Sequence, residues 1–317
     1  HCDILVENFK LDGLKAYGLD YESLSAINEK LVYCSITGFG QTGPYAHRPG
    51  YDFIIQGMGG LMSITGEADD KPGGGPQKVG VAVADLMTGM YATVGILGAL
   101  YEAQSSGKGQ HIDVALLDVQ VTMLANQIHN YLISDKVPHR YGNAHSNIVP
   151  YQVFASSDSH IILAVGNDGQ FKRFCDVAAH PELAQDARYA TNPARLQHRE
   201  ELCARLADII AGQSKAFWME QLEANNVPCG PIDDIDEVCQ NPQVLSRGLQ
   251  LELPHPEAGT VPSIGNPLKL SRSPLQMENA PPLLGQHTEA ILRDVLNYTD
   301  EQIAQQLENA CKTSTTR

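Results

Sequence analysis

The 317-residue sequence is poor in positive charge and has no long uninterrupted hydrophobic run. Its 22 Lys and Arg residues stand against 37 Asp and Glu residues, which gives a formal net charge of −15. That balance argues against binding to nucleic acid or to an anionic membrane, and an anionic substrate would need a local basic pocket. Asp85, Thr88 and Thr93 interrupt the most hydrophobic stretch, so we expect a soluble protein without a membrane-spanning segment.

Patterns typical of disulfide frameworks, metal sites and serine hydrolases are also missing. The seven cysteines are scattered and show no C-x-x-C pair, which favours reduced thiols and a cytoplasmic location. The eleven histidines include no H-E-x-x-H motif, and we predict no metal site. No G-x-S-x-G motif exists to support a Ser-His-Asp triad.

Glycine clusters are present, but none forms a complete nucleotide-binding motif. The stretch 38-GFGQTG-43 follows the strand-like LVYCSIT, yet Pro44 and turn-forming residues come next instead of a helix. Neither 72-PGGGPQK-78 nor 107-GKGQ-110 ends in the G-K-[ST] of a phosphate-binding loop. We therefore reject a dinucleotide site and interpret residues 38–43 as a loop at the end of a strand, where ligands often bind in open α/β sheets.

Hydrophobic periodicity divides the chain into two kinds of structure. Residues 1–135 alternate branched, strand-like runs with helical ones, which is typical of α/β layering on a largely parallel sheet. One helix is predicted from Leu116 to Ser134. After a loop rich in Gly, Asn, His and Pro, YQVFAS and HIILAVG predict an antiparallel pair. Further predicted features are helices at 169–179, 198–211 and 214–225, extended strands and turns over 249–270, and a capping box from Thr299 to Gln302.

A single charged residue, Asp85, lies within 79-VGVAVADLMTGMYATVGILGAL-100. Residues 79–84 suit a short strand or extended run, and helical spacing begins at Leu86. Asp85 is therefore either a helix cap or a carboxylate that the helix N-terminus keeps ionised for use as a nucleophile or base. Tyr51 and Asp52 also allow two interpretations. They lie either at the mouth of a cleft or at the start of a helix that the following glycines end.

Eight ordered motifs resemble the family III CoA-transferases, the CaiB/BaiF family that includes formyl-CoA transferase and succinyl-CoA-dependent dicarboxylate CoA-transferases. The resemblance spans almost the whole chain. The motifs are ENFK at 7–10, YCSITGFGQTGP at 33–44, GYDFIIQGMGGLMSITG at 50–66, VGVAVADLMTG at 79–89, GKGQHIDVALLD at 107–118, GNAHSNIVPYQ at 142–152, VPCGPI at 227–232 and PPLLGQHT at 281–288.

The resemblance assigns roles to particular residues. It implies that Asp85 is the catalytic nucleophile, which forms a mixed anhydride and then an aspartyl-CoA thioester. The implied CoA-binding residues are Asn8, Phe9, Lys10, Arg48 and Tyr51. The implied substrate-site residues are Asp52, His145, Ser146 and Asn147. The substrates are CoA esters, with succinyl-CoA as the expected donor and a dicarboxylic acid as the expected acceptor, and no tightly bound cofactor is implied.

Three departures from the family pattern qualify this interpretation. The glycine-rich active-site loop of formyl-CoA transferase corresponds to His145–Pro150, where those glycines are absent, which indicates a different acceptor. The racemase branch has a histidine where this chain has Tyr51, so transfer is favoured over a CoA-dependent racemase or epimerase. A non-catalytic CoA-binding relative is the other alternative. The chain begins without Met, and we expect it to be the later part of a longer protein.

The implied fold is α/β, with an incomplete Rossmann-like large domain built from N- and C-terminal segments and a smaller α+β domain. The expected divisions are 1–116 for the first part of the large domain, 117–150 for a linker, 151–240 for the small domain, 241–280 for a second linker and 281–317 for the return to the large domain. The resemblance also implies an interlocked homodimer.

Overall fold

The computed structural model describes residues 2–314, and the side chains of residues 2–308. The chain divides into two compact units, one that ends at Pro231 and one that begins at Ile232. The first unit contains a parallel sheet and an antiparallel sheet, and the second contains a two-stranded ribbon with short helices. The finer domain divisions expected from the resemblance stay a prediction.

A three-stranded parallel sheet organises the first part of the chain. Its strands are β1 (Ile4–Glu7), β2 (Val32–Thr37) and β3 (His111–Ala115), in the order β1-β2-β3. The central strand β2 is buried along most of its length, as its continuous branched and apolar sequence predicts for a strand covered on both faces. The predicted parallel sheet is thus confirmed.

Short helices connect these strands or follow the last one, and one long helix, α4 (Val83–Ser106), packs on the sheet. They are a 3₁₀ turn (Lys15–Tyr17), α1 (Tyr21–Ser25), α2 (Asp52–Met58), α3 (Leu61–Ile64), α4 (Val83–Ser106), α5 (Leu116–Met123) and α6 (Asn126–Ser134). The prediction of one helix from Leu116 to Ser134 is wrong. The helix is interrupted at Ala125, whose φ of 47° lies outside the helical region, and two helices form. Of the short strand or extended run suggested for residues 79–84, the strand does not form, and α4 already begins at Val83.

Helix α4 turns its small residues inward and its large apolar residues outward. Its buried positions are Ala84, Thr88, Ala92, Ala99 and Ala103. Its exposed stripe consists of Leu86, Met90, Val94, Leu97 and Tyr101, which are 60–78% exposed. Small residues allow α4 to lie close to β2, β3 and α5. By length and mean hydropathy alone α4 would suit a membrane-spanning helix, a test that core helices of soluble proteins also pass.

The rest of the first unit is an antiparallel sheet covered by helices. Its strands are β4 (Tyr151–Ala155), β5 (His160–Ala164) and β6 (Cys229–Pro231), and its helices are α7 (Asp168–Val177), α8 (Glu182–Gln185), α9 (Asn192–Gln197), α10 (Arg199–Ala211) and α11 (Lys215–Ala224). The predicted β4–β5 pair and the three predicted helices are confirmed. The Pro- and Gly-rich β6, which pairs with β5, was not predicted.

The second unit contains a β-hairpin between short helices. Its elements are α12 (Ile235–Gln240), α13 (Pro242–Ser246), β7 (Gln250–His255), β8 (Gly259–Ile264), α14 (Thr288–Ala290), a π-helical turn (Ile291–Val295) and α15 (Asp300–Ser314). The predicted capping box is confirmed: the Thr299 N–H donates to Gln302 Oε1, and the Gln302 N–H donates to Thr299 Oγ1.

Candidate active site

A cavity of about 670 Å³ opens at the carboxyl ends of the parallel strands. The residues at and after the end of β1 form one wall. The end of β2 and residues 46–51, which precede α2, form a second, and the first turns of α4 form a third. Leu116, which follows β3, also lines it. The size is within the usual range for small-molecule sites, and this edge of an open α/β sheet is where ligands usually bind.

Six of the residues implied by the resemblance line this cavity together. They are Asn8, Phe9, Lys10, Arg48, Tyr51 and Asp85. They come from three segments that are distant in sequence, and the sheet brings them to one edge because its strands run parallel. Phe9 and Tyr51 are 59% and 71% exposed, so their rings are available to a ligand.

Two cationic side chains, Lys10 and Arg48, line the cavity of a chain that is acidic as a whole. Lys10, His47 and Arg48 line it beside Glu7 and Asp85. The Arg48 guanidinium lies 4.6 Å from the centroid of the Tyr45 ring, and this cation–π contact restrains it. The cavity therefore offers an anionic ligand two cationic side chains, but Glu7 and Asp85 match them in number, so the cavity is not basic as a whole.

Asp85 lies in the first turn of α4 with its carboxyl group open to the cavity. Among the residues that the structure describes, no donor lies within hydrogen-bonding distance of its carboxylate oxygens. Partial desolvation, followed by the negative charge of nearby Asp52, raises the pKa of Asp85 above its usual range. The pKa of Asp85 is thus raised and not lowered, contrary to the expectation that the helix N-terminus would lower the proton affinity of this carboxyl group.

Asp52, rather than Asp85, caps α4. The backbone N–H of Ala84 donates to Asp52 Oδ1 at 2.8 Å, and the N–H of Asp85 lies 3.4 Å from the same oxygen. The N-cap position of α4 is Ala82, whose side chain cannot accept a hydrogen bond. The interpretation of Asp85 as a cap is thus wrong. Asp52 itself begins α2 and does not line the cavity, although the resemblance implied a substrate-site role.

The other three residues implied for the substrate site also lie away from the cavity wall. His145, Ser146 and Asn147 belong to the loop before β4. The Arg199 guanidinium donates to the carbonyl oxygens of His145 and Ser146, both at 2.9 Å. Asn192 donates to the Asn147 carbonyl oxygen at 3.0 Å. Within this chain these contacts fix the loop to α9 and α10, and the assignment of these residues to a substrate site stays a prediction.

Gln56 is a residue of the site region that the sequence analysis missed. It is fully buried in α2, where its amide donates to Asp52 Oδ2 at 2.7 Å and accepts from the Val79 N–H at 2.9 Å. It joins α2 to the segment that leads into α4. A glutamine inside the apolar run DFIIQGM was the available signal, because a buried amide must find polar partners.

Four of the described thiols are poor candidates for an alternative nucleophile at neutral pH. Burial raises the pKa of Cys34, Cys203 and Cys229, and it raises that of Cys175 to about 12. A thiol with a raised pKa carries little of the reactive thiolate. Among the side chains that the structure describes, those of residues 2–308, no group of three or more His, Cys, Asp or Glu is placed to hold a metal ion.

Comparison with known proteins matches this arrangement to one family over most of the chain. The sequence profile of CoA-transferase family III matches residues 1–288. The chain is 51% identical to the succinate–glutarate CoA-transferase of Agrobacterium fabrum, over 93% of its length and 72% of that protein. It is 42% identical to the succinyl-CoA:glutarate CoA-transferase of Mus musculus, over 95% of its length and 68% of that protein.

A solved structure gives the same result for the fold. The crystal structure of a CaiB/BaiF family protein from Brucella suis superposes with a TM-score of 0.80 at 47% identity. That similarity covers 92% of this chain and 75% of the other one. The α/β fold class expected from the sequence is confirmed.

Proposed function

The chain belongs to CoA-transferase family III and is a CoA-transferase, and from that premise we propose that it moves CoA from succinyl-CoA to a dicarboxylic acid. The relatives at 51% and 42% identity are named for succinate or succinyl-CoA and for glutarate. More distant relatives are named for succinyl-CoA with mesaconate or D-citramalate. Succinyl-CoA is therefore the proposed donor, and glutarate is the first acceptor to test.

The observation that carries the mechanism is the Asp85 carboxylate, which faces the cavity and accepts no hydrogen bond from the described residues. In the proposed first step, an Asp85 oxygen attacks the thioester carbonyl of the donor, the C–S bond breaks, and a mixed anhydride and CoA thiolate form. The thiolate then attacks the aspartyl carbonyl, which gives an aspartyl-CoA thioester and releases succinate. An ionised carboxylate with few fixed donors is a better nucleophile than one engaged in a cap.

The acceptor acid completes the proposed cycle by reversing these steps. Its carboxylate attacks the aspartyl-CoA thioester, CoA thiolate leaves, and an acceptor–aspartyl anhydride forms. Thiolate attack on the acceptor carbonyl then yields the new CoA ester and restores Asp85. The energy of the thioester is retained only if water stays out, so Asp85 must be covered while an intermediate exists.

The other cavity residues fit the binding of a CoA ester. Lys10 and Arg48 carry the positive charge that phosphate or carboxylate groups require, and the fork of Arg48 can bind either of them through two hydrogen bonds. Asn8 adds an amide, while the exposed rings of Phe9 and Tyr51 offer apolar contact to the pantetheine or acyl chain. The proposed chemistry needs no metal and no redox cofactor.

A cytoplasmic location and a homodimer remain part of the proposal. The exposed apolar stripe of α4 supports assembly, because single soluble chains rarely leave so continuous an apolar face in water. Sedimentation of the protein and of a variant with Val94→Lys and Leu97→Lys tests this point. We expect the variant to sediment as a smaller species, whereas equal masses for both would remove the stripe from the interface.

The deciding experiment incubates the protein with succinyl-CoA and a panel of carboxylic acids and identifies new CoA esters by mass spectrometry. We expect glutaryl-CoA to form with wild type and to be absent with Asp85→Ala. Oxygen from ¹⁸O-labelled glutarate should appear in the released succinate, because the anhydride steps pass it through Asp85. Exchange of the α-proton of a CoA ester into deuterated water, with no new ester for any acceptor, would contradict transfer and indicate the racemase alternative.

A further inference from the structure

Two side chains of α2 control how the helix of the proposed nucleophile begins. Asp52 Oδ1 accepts from the Ala84 N–H, as described above, while Asp52 Oδ2 accepts from the buried amide of Gln56 at 2.7 Å. Gln56 also accepts from the Val79 N–H at 2.9 Å and lies 3.5 Å from the Val81 carbonyl oxygen. The pair thus holds both the chain that enters α4 and the first free N–H groups of that helix.

We propose that Asp52 and Gln56 form a positioning pair for Asp85, in which Asp52 takes the capping role and Gln56 fixes Asp52, so that the Asp85 carboxylate stays directed into the cavity. This inference rests on the proposed role of Asp85 as the nucleophile. Neither member of the pair lines the cavity, so both act through Asp85 and not by contact with substrate.

Asp52 and Asp85 are both carboxylates near the free N–H groups at the start of α4. The first N–H groups of a helix have no partner within the helix and are normally satisfied by a side-chain oxygen. Ala82 cannot provide one, and Asp85 is the acidic residue in the first turn of α4. Without Asp52, the carboxylate of Asp85 is an acceptor on the same first turn that could take those N–H groups. Turned back onto its own helix, it would be hydrogen-bonded and directed away from a thioester in the cavity.

The negative charge of Asp52 has a second effect, on the ionisation of Asp85. The titratable groups that face Asp85 are Glu7, Lys10, His47, Arg48 and Tyr51 around the cavity, with Asp52 behind it on α2. Among these, the charge of Asp52 contributes to the raised pKa of Asp85. The substitution Asp52→Asn would keep an acceptor oxygen for the Ala84 N–H but remove the charge, so the two effects can be separated.

The test uses three variants and a matched control. Asp52→Asn removes charge, Asp52→Ala removes charge and cap, and Gln56→Met removes the hydrogen bonds of a fully buried glutamine at similar volume. Gln120→Met is the control, because Gln120 is also fully buried but its amide has no hydrogen-bond partner among the described residues. Transfer rates are measured over pH. In parallel, carbodiimide labelling of Asp85 is followed over pH by peptide mass spectrometry, which needs no catalytic activity.

We expect Gln56→Met and Asp52→Ala to lower kcat by roughly tenfold to a hundredfold with little change in KM, because the nucleophile is misplaced while the binding surface remains. For Asp52→Asn, the acid limb of the rate profile and the labelling midpoint should both move to lower pH, since Asp85 ionises more readily. Gln120→Met should match wild type in both measurements.

Three results would overturn the inference. These are equal kcat for Gln56→Met and Gln120→Met, an unshifted labelling midpoint in Asp52→Asn, or a labelling rate of Asp85 in Asp52→Ala that equals wild type. Should Asp52→Ala fail to fold, the Asp52→Asn and Gln56→Met comparisons still decide. If wild type transfers no CoA, the proposed function fails, whereas the labelling curves still show whether Asp52 acts on Asp85.

Discussion

The parallel-sheet region and the antiparallel region of the first unit differ in how they bury apolar side chains. Around β4–β6, sixteen buried residues form one continuous core that includes Phe174 and Trp218. Around β1–β3, the described residues form two small clusters of four buried residues each, one with Cys34 and one with Phe39. The region that carries the candidate site thus has the thinner core, and it leaves the large residues of α4 exposed. The candidate site and the larger apolar core are thus located in different parts of one unit.

Replacing Asp85 should produce the largest effect, and it should affect activity alone. We expect Asp85→Asn to lower transfer by at least about 10³-fold, the scale seen when a covalent nucleophile is removed. The midpoint of thermal unfolding should stay near that of wild type, because Asp85 does not cap α4. Rates and thermal melts of the two proteins check this. A large loss of stability would show that the carboxylate supports the fold after all.

Truncating a buried phenylalanine should give the next largest effect, and the loss of stability should differ between the two regions. Phe174→Ala in the large core should lower the free energy of unfolding by about 3–5 kcal/mol, because a cavity remains among rigidly packed neighbours. Phe39 is 9% exposed and belongs to a cluster of four buried residues. Phe39→Ala should therefore lower the free energy of unfolding by less, because its surroundings can relax. Urea unfolding of both variants measures the difference. Equal losses would mean that the small clusters pack as rigidly as the large core.

Removing a helix cap in the antiparallel region should cost less stability than truncating its core. The Asn167 side chain accepts the N–H of Gln170 at 2.9 Å and caps α7. Asn167→Ala should cost about 1 kcal/mol, whereas Asn167→Asp should retain most of the stability because Asp caps equally well. Urea unfolding of the two variants checks the prediction. If Asn167→Asp lost as much stability as Asn167→Ala, the loss would have a cause other than the cap.

The smallest expected effect is on the acid side of the stability profile. The side chain and backbone N–H of Arg188 hydrogen-bond to Asp186 and lower the pKa of that carboxyl to about 2. A carboxyl with a lowered folded-state pKa stabilises the fold above its ordinary pKa, and that contribution is lost as the pH falls toward 2. Asp186→Asn should therefore reduce stability at pH 7 more than at pH 2.5. Unfolding at both pH values should show a difference that shrinks in high salt.

Much of the fold could be predicted from local patterns. The alternation of branched and helical runs indicated the parallel sheet, and the period of two in YQVFAS and HIILAVG indicated the antiparallel pair. Local patterns failed at two places. The break at Ala125 occurs inside a sequence with good helical periodicity, and β6 forms from a Pro- and Gly-rich segment because the edge of β5 is available.

The candidate site could be predicted in part. Six implied residues meet in one cavity, as the motif order suggested. The cap on α4 could not be predicted, because Asp52 acts across 32 residues of sequence and caps are normally sought next to the helix. Gln56 escaped notice for a related reason: in an apolar run it resembles an interruption, and only its partners show what it does.

A cap supplied by another helix has a consequence for how such an enzyme can diversify. Asp85 meets the reacting thioester in the proposed mechanism, whereas Asp52 and Gln56 do not line the cavity. Changes at the two remote positions would adjust the reactivity of the carboxylate without altering the shape that selects the acyl group. Evolution could then tune the speed of the reaction and the choice of acid as two independent traits within one scaffold.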